Sequence, residues 1–114
     1  MHIYRTRDAS PVVPPGHFGN LQTADVVTSV DQGVSYKAQL SFCPPGGGGE
    51  MHHHDNEDQL FIVVDGELTF KTGEQEFTLE KNEAVLFHAG DPHYTINQSD
   101  EPSVSVVITS TSTA

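Results

Sequence analysis

The alternation of apolar and polar residues along the chain predicts a protein built from short β-strands. The clearest stretch is residues 34–42, in which an apolar side chain occupies every second position. A period of two residues is typical of a strand with one buried face. Other short apolar or alternating runs predict strands at residues 26–30, 51–54, 59–64, 68–70, 77–79, 84–87, 93–97 and 104–108.

Turn-forming residues separate the predicted strands. Pro44, Pro45 and four glycines follow the alternating stretch, and Asp65 and Gly66 lie between two apolar runs as in a β-hairpin. No stretch has the period of an amphipathic helix of three turns. Strands and turns that repeat at roughly 8 to 12 residues predict an all-β, antiparallel sandwich or barrel.

The length of the chain, 114 residues, suits one domain with a single core. Residues 1–20 contain three prolines and two glycines, and we expect an irregular N-terminal arm in which Ile3 and Tyr4 can add a short edge strand. Residues 21–110 are assigned to the barrel domain. The end of the chain is small and polar, so fraying is expected from Thr109 and a disordered tail at residues 111–114.

The charge of the chain narrows its partners. Five basic and 16 acidic residues give a net charge of −11, so nucleic acid and anionic membranes would be repelled. The first residues lack the apolar segment of a secretion signal, and no run approaches a membrane span, so a cytoplasmic protein is expected. The single cysteine, Cys43, excludes an internal disulfide and is interpreted as a small apolar residue rather than a nucleophile.

A histidine cluster suggests a metal site. His52 and His54 are two residues apart and would project from the same face of a strand. Gln59 opens the next apolar run, and His93 offers a further nitrogen ligand from a remote strand. The sequence therefore predicts one metal ion held by His52, His54, Gln59 and His93. A cloning tag is excluded by the internal position, but histidines in a solvated acidic loop remain an alternative.

Two further residues have catalytic and structural interpretations. Glu57 shares a strand face with Gln59, so it could complete the metal shell or act as a general base; alternatively it belongs to a solvated acidic turn. His88 could carry protons at the rim of a pocket or be an exposed turn residue. His53 points away from its two neighbours and is expected outside the site.

The histidines and glycines resemble the two motifs of the cupins, a family of double-stranded β-helix, or jelly-roll, proteins. The first motif is matched at the family's spacing by Gly46, His52, His54, Gln59 and Gly66. The second is matched by Asn82, His88, Gly90, His93 and Asn97. Three positions depart from the pattern, because Gln59, Asn82 and His88 stand where the family usually has Glu, Gly and Pro.

The resemblance implies a jelly-roll barrel with a divalent Fe, Ni, Zn or Mn ion inside. It also implies a metal-dependent enzyme, either a dioxygenase or a redox-neutral lyase, isomerase or cyclase. The alternative is a non-catalytic module that binds a small sugar or acid. Gln59 in place of Glu would leave the ion its full charge, which favours an anionic or enolisable oxygenated substrate. Gln59 could instead stay off the metal and bind the ligand. A homodimer is expected by analogy with small cupins.

Aromatic residues are the candidate walls of the substrate pocket. Aromatic side chains in a small barrel are often plain core, and the two roles are not distinguished by the sequence. The candidates are Tyr36, Phe42, Phe61, Phe70 and Tyr94.

Overall fold

The computed structural model describes residues 1–28 and 33–111, and within them the protein is built almost entirely from β-strands. One short 3-10 helix, η1, precedes the strands, and no α-helix occurs in these two ranges. No helix in this part of the chain has the length and apolar character needed to cross a membrane. The elements are η1 (Thr6–Asp8), β1 (His17–Phe18), β2 (Gln22–Val27), β3 (Tyr36–Cys43), β4 (Gly48–His52), β5 (Glu57–Asp65), β6 (Glu67–Lys71), β7 (Glu76–Glu80), β8 (Ala84–Phe87), β9 (His93–Ile96) and β10 (Ser103–Thr111).

The strands form two five-stranded antiparallel sheets that face each other. Sheet I has the order β2-β3-β10-β5-β8, and sheet II has the order β1-β4-β9-β6-β7. The chain passes back and forth between the sheets from β3 to β10, except for the hairpin between β6 and β7. This arrangement confirms the predicted all-β jelly-roll barrel.

The core between the sheets is built around four phenylalanines. Phe70 is fully buried, stacks on Phe77 at 5.5 Å between ring centroids, and meets Phe61 edge-on at 5.3 Å. Phe87 joins the same cluster at 5.9 Å from both Phe61 and Phe70. Aromatic pairs in these geometries stabilise a core beyond the area that they bury. The cluster fills one end of the barrel and leaves the other end to polar side chains.

Strand β3 confirms that the alternating stretch is extended, but its apolar positions point out of the barrel. Lys37, Gln39 and Ser41 line an internal cavity, whereas Tyr36 lies on the other side of the sheet and is 41% exposed. The inward face is polar because this end of the barrel encloses a polar cavity rather than a close-packed core. The strand itself begins at residue 36.

The two ends of the chain differ in part from their predictions. Ile3 and Tyr4 form no strand, but the arm contributes β1, which pairs with β4, and a bridge from Val12 to Thr23. The expected fraying from Thr109 is wrong, because β10 continues to Thr111 between β3 and β5. Of the tail predicted at residues 111–114, Thr111 belongs to β10; the rest of that tail and the end of the strand predicted at residues 26–30 lie outside the described residues.

A left-handed backbone explains one departure from the second motif. Asn82 has a φ of 70°, a conformation that glycine adopts freely and that asparagine tolerates better than other side chains. Asn82 can therefore replace the usual glycine without changing the turn before β8. At the far end of the same motif, Asn97 is buried and donates to the carbonyl oxygens of Cys43 and Glu101 at 2.9 and 2.8 Å.

Candidate metal centre

Three histidines from two adjacent strands and a loop converge inside the polar end of the barrel. His52 ends β4 and pairs in register with His93, the first residue of β9. His54 follows β4 and brings a third ring to the same point. One ligand atom from each histidine lies within 4.8 Å of the others, and the three form a group that could hold a metal ion.

Close backbone packing fixes the strand that carries His52. A Cβ atom at Gly48 would overlap the carbonyl oxygen of Thr95 in the neighbouring strand β9. Gly49 donates its backbone N–H to the Thr95 hydroxyl at 2.9 Å. Glycine is needed here because β4 and β9 approach too closely for a side chain. The glycine run thus sets the distance between the strands of His52 and His93.

Two of the three histidines, His52 and His93, are oriented through their Nδ1 atoms. The His52 Nδ1 lies 2.7 Å from the Glu50 carbonyl oxygen, and the His93 Nδ1 lies 3.2 Å from the Asp91 carbonyl oxygen. A carbonyl oxygen only accepts, so both rings donate from Nδ1, and Nε2 is the nitrogen that remains for a ligand. Metal-binding histidines are held in this way by a partner on the other ring nitrogen.

The side of the rings that faces the interior has no protein partner. Among the described residues, the Nε2 atoms of His54 and His93 and the amide oxygen of Gln59 are buried without a hydrogen bond. Buried polar atoms are rarely left unpaired, because the lost hydration is costly. Two imidazole nitrogens and an amide oxygen are suitable ligands for a divalent ion, so the residues present fit a metal.

Gln59 is held by a residue of the last strand. Its Nε2 donates to the Thr109 hydroxyl at 3.1 Å, across the β5–β10 pairing in which the two residues are opposite each other. In this orientation the amide oxygen is the end that faces away from Thr109 and has no hydrogen bond. Thr109 was expected in a frayed tail, and the register between remote strands gave no sequence signal for this contact.

Burial keeps His93 in the form that binds metals. Its side chain is 1% exposed, and desolvation lowers its pKa from 6.5 to about 4. The neighbouring His52 contributes to this lowering of the pKa, while the hydrogen bond to Asp91 opposes it. His93 is therefore a neutral imidazole at pH 7, which needs no deprotonation before it coordinates an ion.

The other polar residues near the centre have distinct positions. Glu57 lines the cavity, and its carboxylate lies 3.6 Å from the Nδ1 of His54. His53 points outward and lies 3.1 Å from the Asp55 carboxylate. His88 is 71% exposed, lies 3.9 Å from Asp58, and does not line the cavity.

A cavity of about 260 Å³ adjoins the three histidines. Of the five predicted aromatic walls, only Phe61 lines it. Tyr36 and Phe42 lie on the outer face of sheet I, because their strand turns its polar positions inward. Phe70 is inside the core, and Tyr94 lies outside sheet II, near Phe18 and the Lys71 ammonium group. The polar and charged lining residues are His17, Thr23, Lys37, Gln39, Ser41, His52, His54, Glu57, Gln59, His93, Thr95 and Thr109.

Sequence reasoning missed seven of these lining residues: His17, Thr23, Lys37, Gln39, Ser41, Thr95 and Thr109. Lys37 and Gln39 are the polar positions of the alternating stretch, and Thr109 is the partner of Gln59. His17 comes from the arm; its ring lies 6.3 Å from that of His52, and its Nδ1 lies 2.9 Å from the Pro15 carbonyl oxygen. The polar positions of the alternating stretch were the one sequence signal for these residues, because a polar strand face can line a water-filled cavity.

Cys43 does not take part in this chemistry. It is a free, buried thiol at the end of β3. Burial raises its pKa to about 11, against weaker hydrogen-bond contributions from Asn97 and Ser103 that lower it. The thiol is therefore protonated at neutral pH, and a protonated thiol is a poor nucleophile.

The chain belongs to the cupin family, whose domain model matches residues 40–109. Three solved structures share its fold. A predicted oxalate decarboxylase from Thermotoga maritima is 15% identical, with a TM-score of 0.88 and coverage of 97% of this chain and 100% of that one. A Cupin 2 conserved barrel domain protein from Salinispora arenicola is 17% identical, with a TM-score of 0.79 and coverage of 96% and 87%. KdgF from Halomonas sp. is 19% identical, with a TM-score of 0.78 and coverage of 96% and 94%.

A search of curated protein sequences found no match to this chain. The structural similarity at these low identities concerns the fold. The residues of the site itself are therefore the basis for any statement about function.

Proposed function

We propose that this protein is a metal-dependent enzyme that acts on a small anionic or enolisable oxygenated molecule. The ion would be held by His52, His54, His93 and the amide oxygen of Gln59. The observation that supports this most strongly is the convergence of three imidazoles whose ligand atoms lie within 4.8 Å of one another. The unpaired Gln59 oxygen beside the same cavity adds a fourth donor.

The proposed ligand shell carries no charge of its own. Three neutral imidazoles and an amide leave the double charge of a divalent Fe, Ni, Zn or Mn ion uncompensated. When bound there, such an ion would supply Lewis-acid stabilisation of negative charge on a substrate oxygen. This charge favours substrates that bind as a carboxylate or an enolate. The designation of the Thermotoga maritima structure as a predicted oxalate decarboxylase supports a small carboxylate.

Within the cavity, Glu57 is our candidate for the group that accepts a proton from the substrate. Its carboxylate is part of the cavity wall, and it is close enough to the His54 ring to be held near the reacting molecule. His88 is a weaker candidate because its ring is exposed and lies outside the cavity. Phe61 would shield the reacting end from water, since its buried ring lies 5.8 Å from that of His93.

The first test is the metal content of His93→Ala. Bound divalent ion is expected to fall from about one per chain to near none, because a ligand with a fixed orientation is removed. Elemental analysis of protein purified under identical conditions gives the readout. His53→Ala is the matched control, since its ring belongs to the same histidine run but points outward. Equal metal content in wild type and His93→Ala would contradict the proposal.

Oxygen consumption separates the two kinds of reaction that the proposal covers. Uptake of O₂ by the Fe(II)-loaded protein with β-diketone, flavonol or thiol substrates would assign it to the dioxygenases. Turnover of a small hydroxy or oxo acid without O₂ would assign it to the lyases, isomerases or cyclases. Tight metal binding without turnover of any ligand that binds would contradict an enzyme and favour a binding module.

We also propose that the protein is a homodimer that associates through the outer face of sheet I. This face presents a row of apolar side chains, most of them only partly buried in the single chain. Tyr36 and Leu86 at its margins are 41% and 50% exposed. Continuous apolar faces of this kind are typical of protein interfaces. The other members of the face are Ala38, Leu40, Phe42, Leu60, Ile62, Val104, Val106 and Ile108.

A further inference from the structure

Lys37 lies in the same inward row as the proposed metal ligand Gln59. In the registers of sheet I, Lys37 is opposite Thr109 on β10, and Thr109 is opposite Gln59 on β5. All three side chains line the cavity. Since adjacent strands are about 4.8 Å apart, the backbones of Lys37 and Gln59 are separated by roughly 10 Å. The two side chains thus border the same cavity at positions two strands apart.

The position of Lys37 is unusual for its charge. The chain has five Lys and Arg residues against 16 Asp and Glu, yet one of these few cations faces the cavity. Among the described lining residues, Lys37 is the only Lys or Arg and Glu57 is the only carboxylate. A cation in this place attracts an anionic ligand in a protein whose overall charge would repel it.

The ion pair with Asp25 leaves the Lys37 ammonium group able to bind a further anion. Its ammonium nitrogen lies 3.8 Å from an Asp25 oxygen, and the two side chains are 45% and 52% exposed. Exposed ion pairs of this length contribute little to stability. The same Asp25 oxygen already accepts a 2.9 Å hydrogen bond from the Gln39 amide. The ammonium group therefore keeps donors for a ligand in the cavity.

We propose that Lys37 binds the far carboxylate of a small dicarboxylic acid whose other end is bound at the three histidines. This inference rests on the proposed function and makes its substrate class narrower. The cavity of about 260 Å³ is large enough for a short organic acid. A second carboxylate would compensate the charge of Lys37, as the first compensates the charge of the metal centre. Lys37 is thus a residue that determines specificity.

The test compares two probes that differ only in the far carboxylate, 2-oxoglutarate and 2-oxopentanoate. Binding to the metal-loaded full-length chain is measured by calorimetry, after the metal content of each sample has been determined. Wild type is expected to bind 2-oxoglutarate about tenfold more tightly, since a charge-assisted hydrogen bond is gained at a partly exposed site. In Lys37→Met the ratio should fall to about one, and Lys37→Arg should retain most of it.

Lys71→Met is the matched control. Lys71 lies 4.0 Å from Glu76, with side chains 42% and 54% exposed, but it is on the outside of sheet II. Its loss should leave the ratio unchanged. A ratio near one in wild type, or a tenfold ratio that survives in Lys37→Met, overturns the Lys37 inference while the metal site stands. Absence of binding by both acids also overturns it, and a wild-type chain without metal overturns it together with the proposed function.

Discussion

The two faces of sheet I differ in the opposite sense from the usual pattern of a soluble protein. At the cavity end, the inward face carries polar side chains such as Lys37, Gln59 and Thr109, and the outward face carries Ala38, Leu60 and Ile108. In a half-buried sheet the apolar face normally covers the core. The inversion leaves polar side chains inside for the proposed metal centre and apolar side chains outside for the proposed dimer.

Some of the polar groups on the inner face are paired with other polar side chains. Gln39 donates to Asp25, and Gln59 donates to Thr109. On the outer face, apolar side chains are in contact with water. This contact is unfavourable, and association with a second chain would remove it. The outer face of sheet II offers a contrast, since the exposed positions of β7 are Glu76, Thr78 and Glu80.

A substitution in the apolar core between the sheets should have the largest effect, a loss of folding stability. Phe61→Ala removes a buried ring that contacts Phe70, Phe87 and His93, and its cost to the free energy of unfolding should be about 3–5 kcal/mol. Ile62→Ala, the next residue on the outer face, should cost less than about 2 kcal/mol in the monomer, because Ile62 is only partly buried. Urea unfolding of the metal-free proteins gives both values.

Repeating the unfolding measurements at several protein concentrations tests whether the outer face is an interface. If the outer face is an interface, the cost of Ile62→Ala should rise with concentration, while that of Phe61→Ala should not. Equal costs for the two variants at low concentration would mean that the inner and outer faces are buried alike, against the arrangement of β5.

The sequence predicted the strands and the histidine centre better than it predicted the cavity. In an extended backbone the spacing of His52 and His54 directs both rings to one side, and the second motif pointed to His93. Alternation is unchanged when the two faces are exchanged, so it could not tell that Lys37 points inward and Tyr36 outward. Thr109 was missed because its role depends on pairing with Gln59, fifty residues earlier in the chain.

A charged substitution on the outer face of sheet I should dissociate the proposed dimer. Ile108→Glu puts a charge among Ala38 and Leu60, and the dissociation constant should rise by at least about a hundredfold, as for a residue central to an interface. Sedimentation equilibrium measures the change. Thr78→Glu, on the outside of sheet II, should leave the dimer intact.

Leu86→Glu tests the same face at a position that is already half exposed, so folding is not at risk. We expect a smaller rise in the dissociation constant, about tenfold. A wild-type chain that is monomeric at all concentrations, or a dimer that resists both substitutions on sheet I, would contradict an interface on this face. Metal content should be unaffected by either change, since the cavity lies on the other side of the sheet.

The last comparison is between the inward and outward side chains of one strand, β10. Thr109→Val keeps the shape of the side chain but removes the acceptor for the Gln59 amide, so the amide can rotate and present its nitrogen instead of its oxygen to the ion. Metal affinity, measured by competition with a chelator, should fall about tenfold. Thr109→Ser should restore it, and Ser110→Ala on the outer face should not change it. Equal metal affinity in Thr109→Val and wild type would mean that Gln59 is not a ligand, because the orientation of its amide would have no effect on the ion. The metal centre would then consist of the three histidines alone, and the Gln59 amide would be free to contact the substrate.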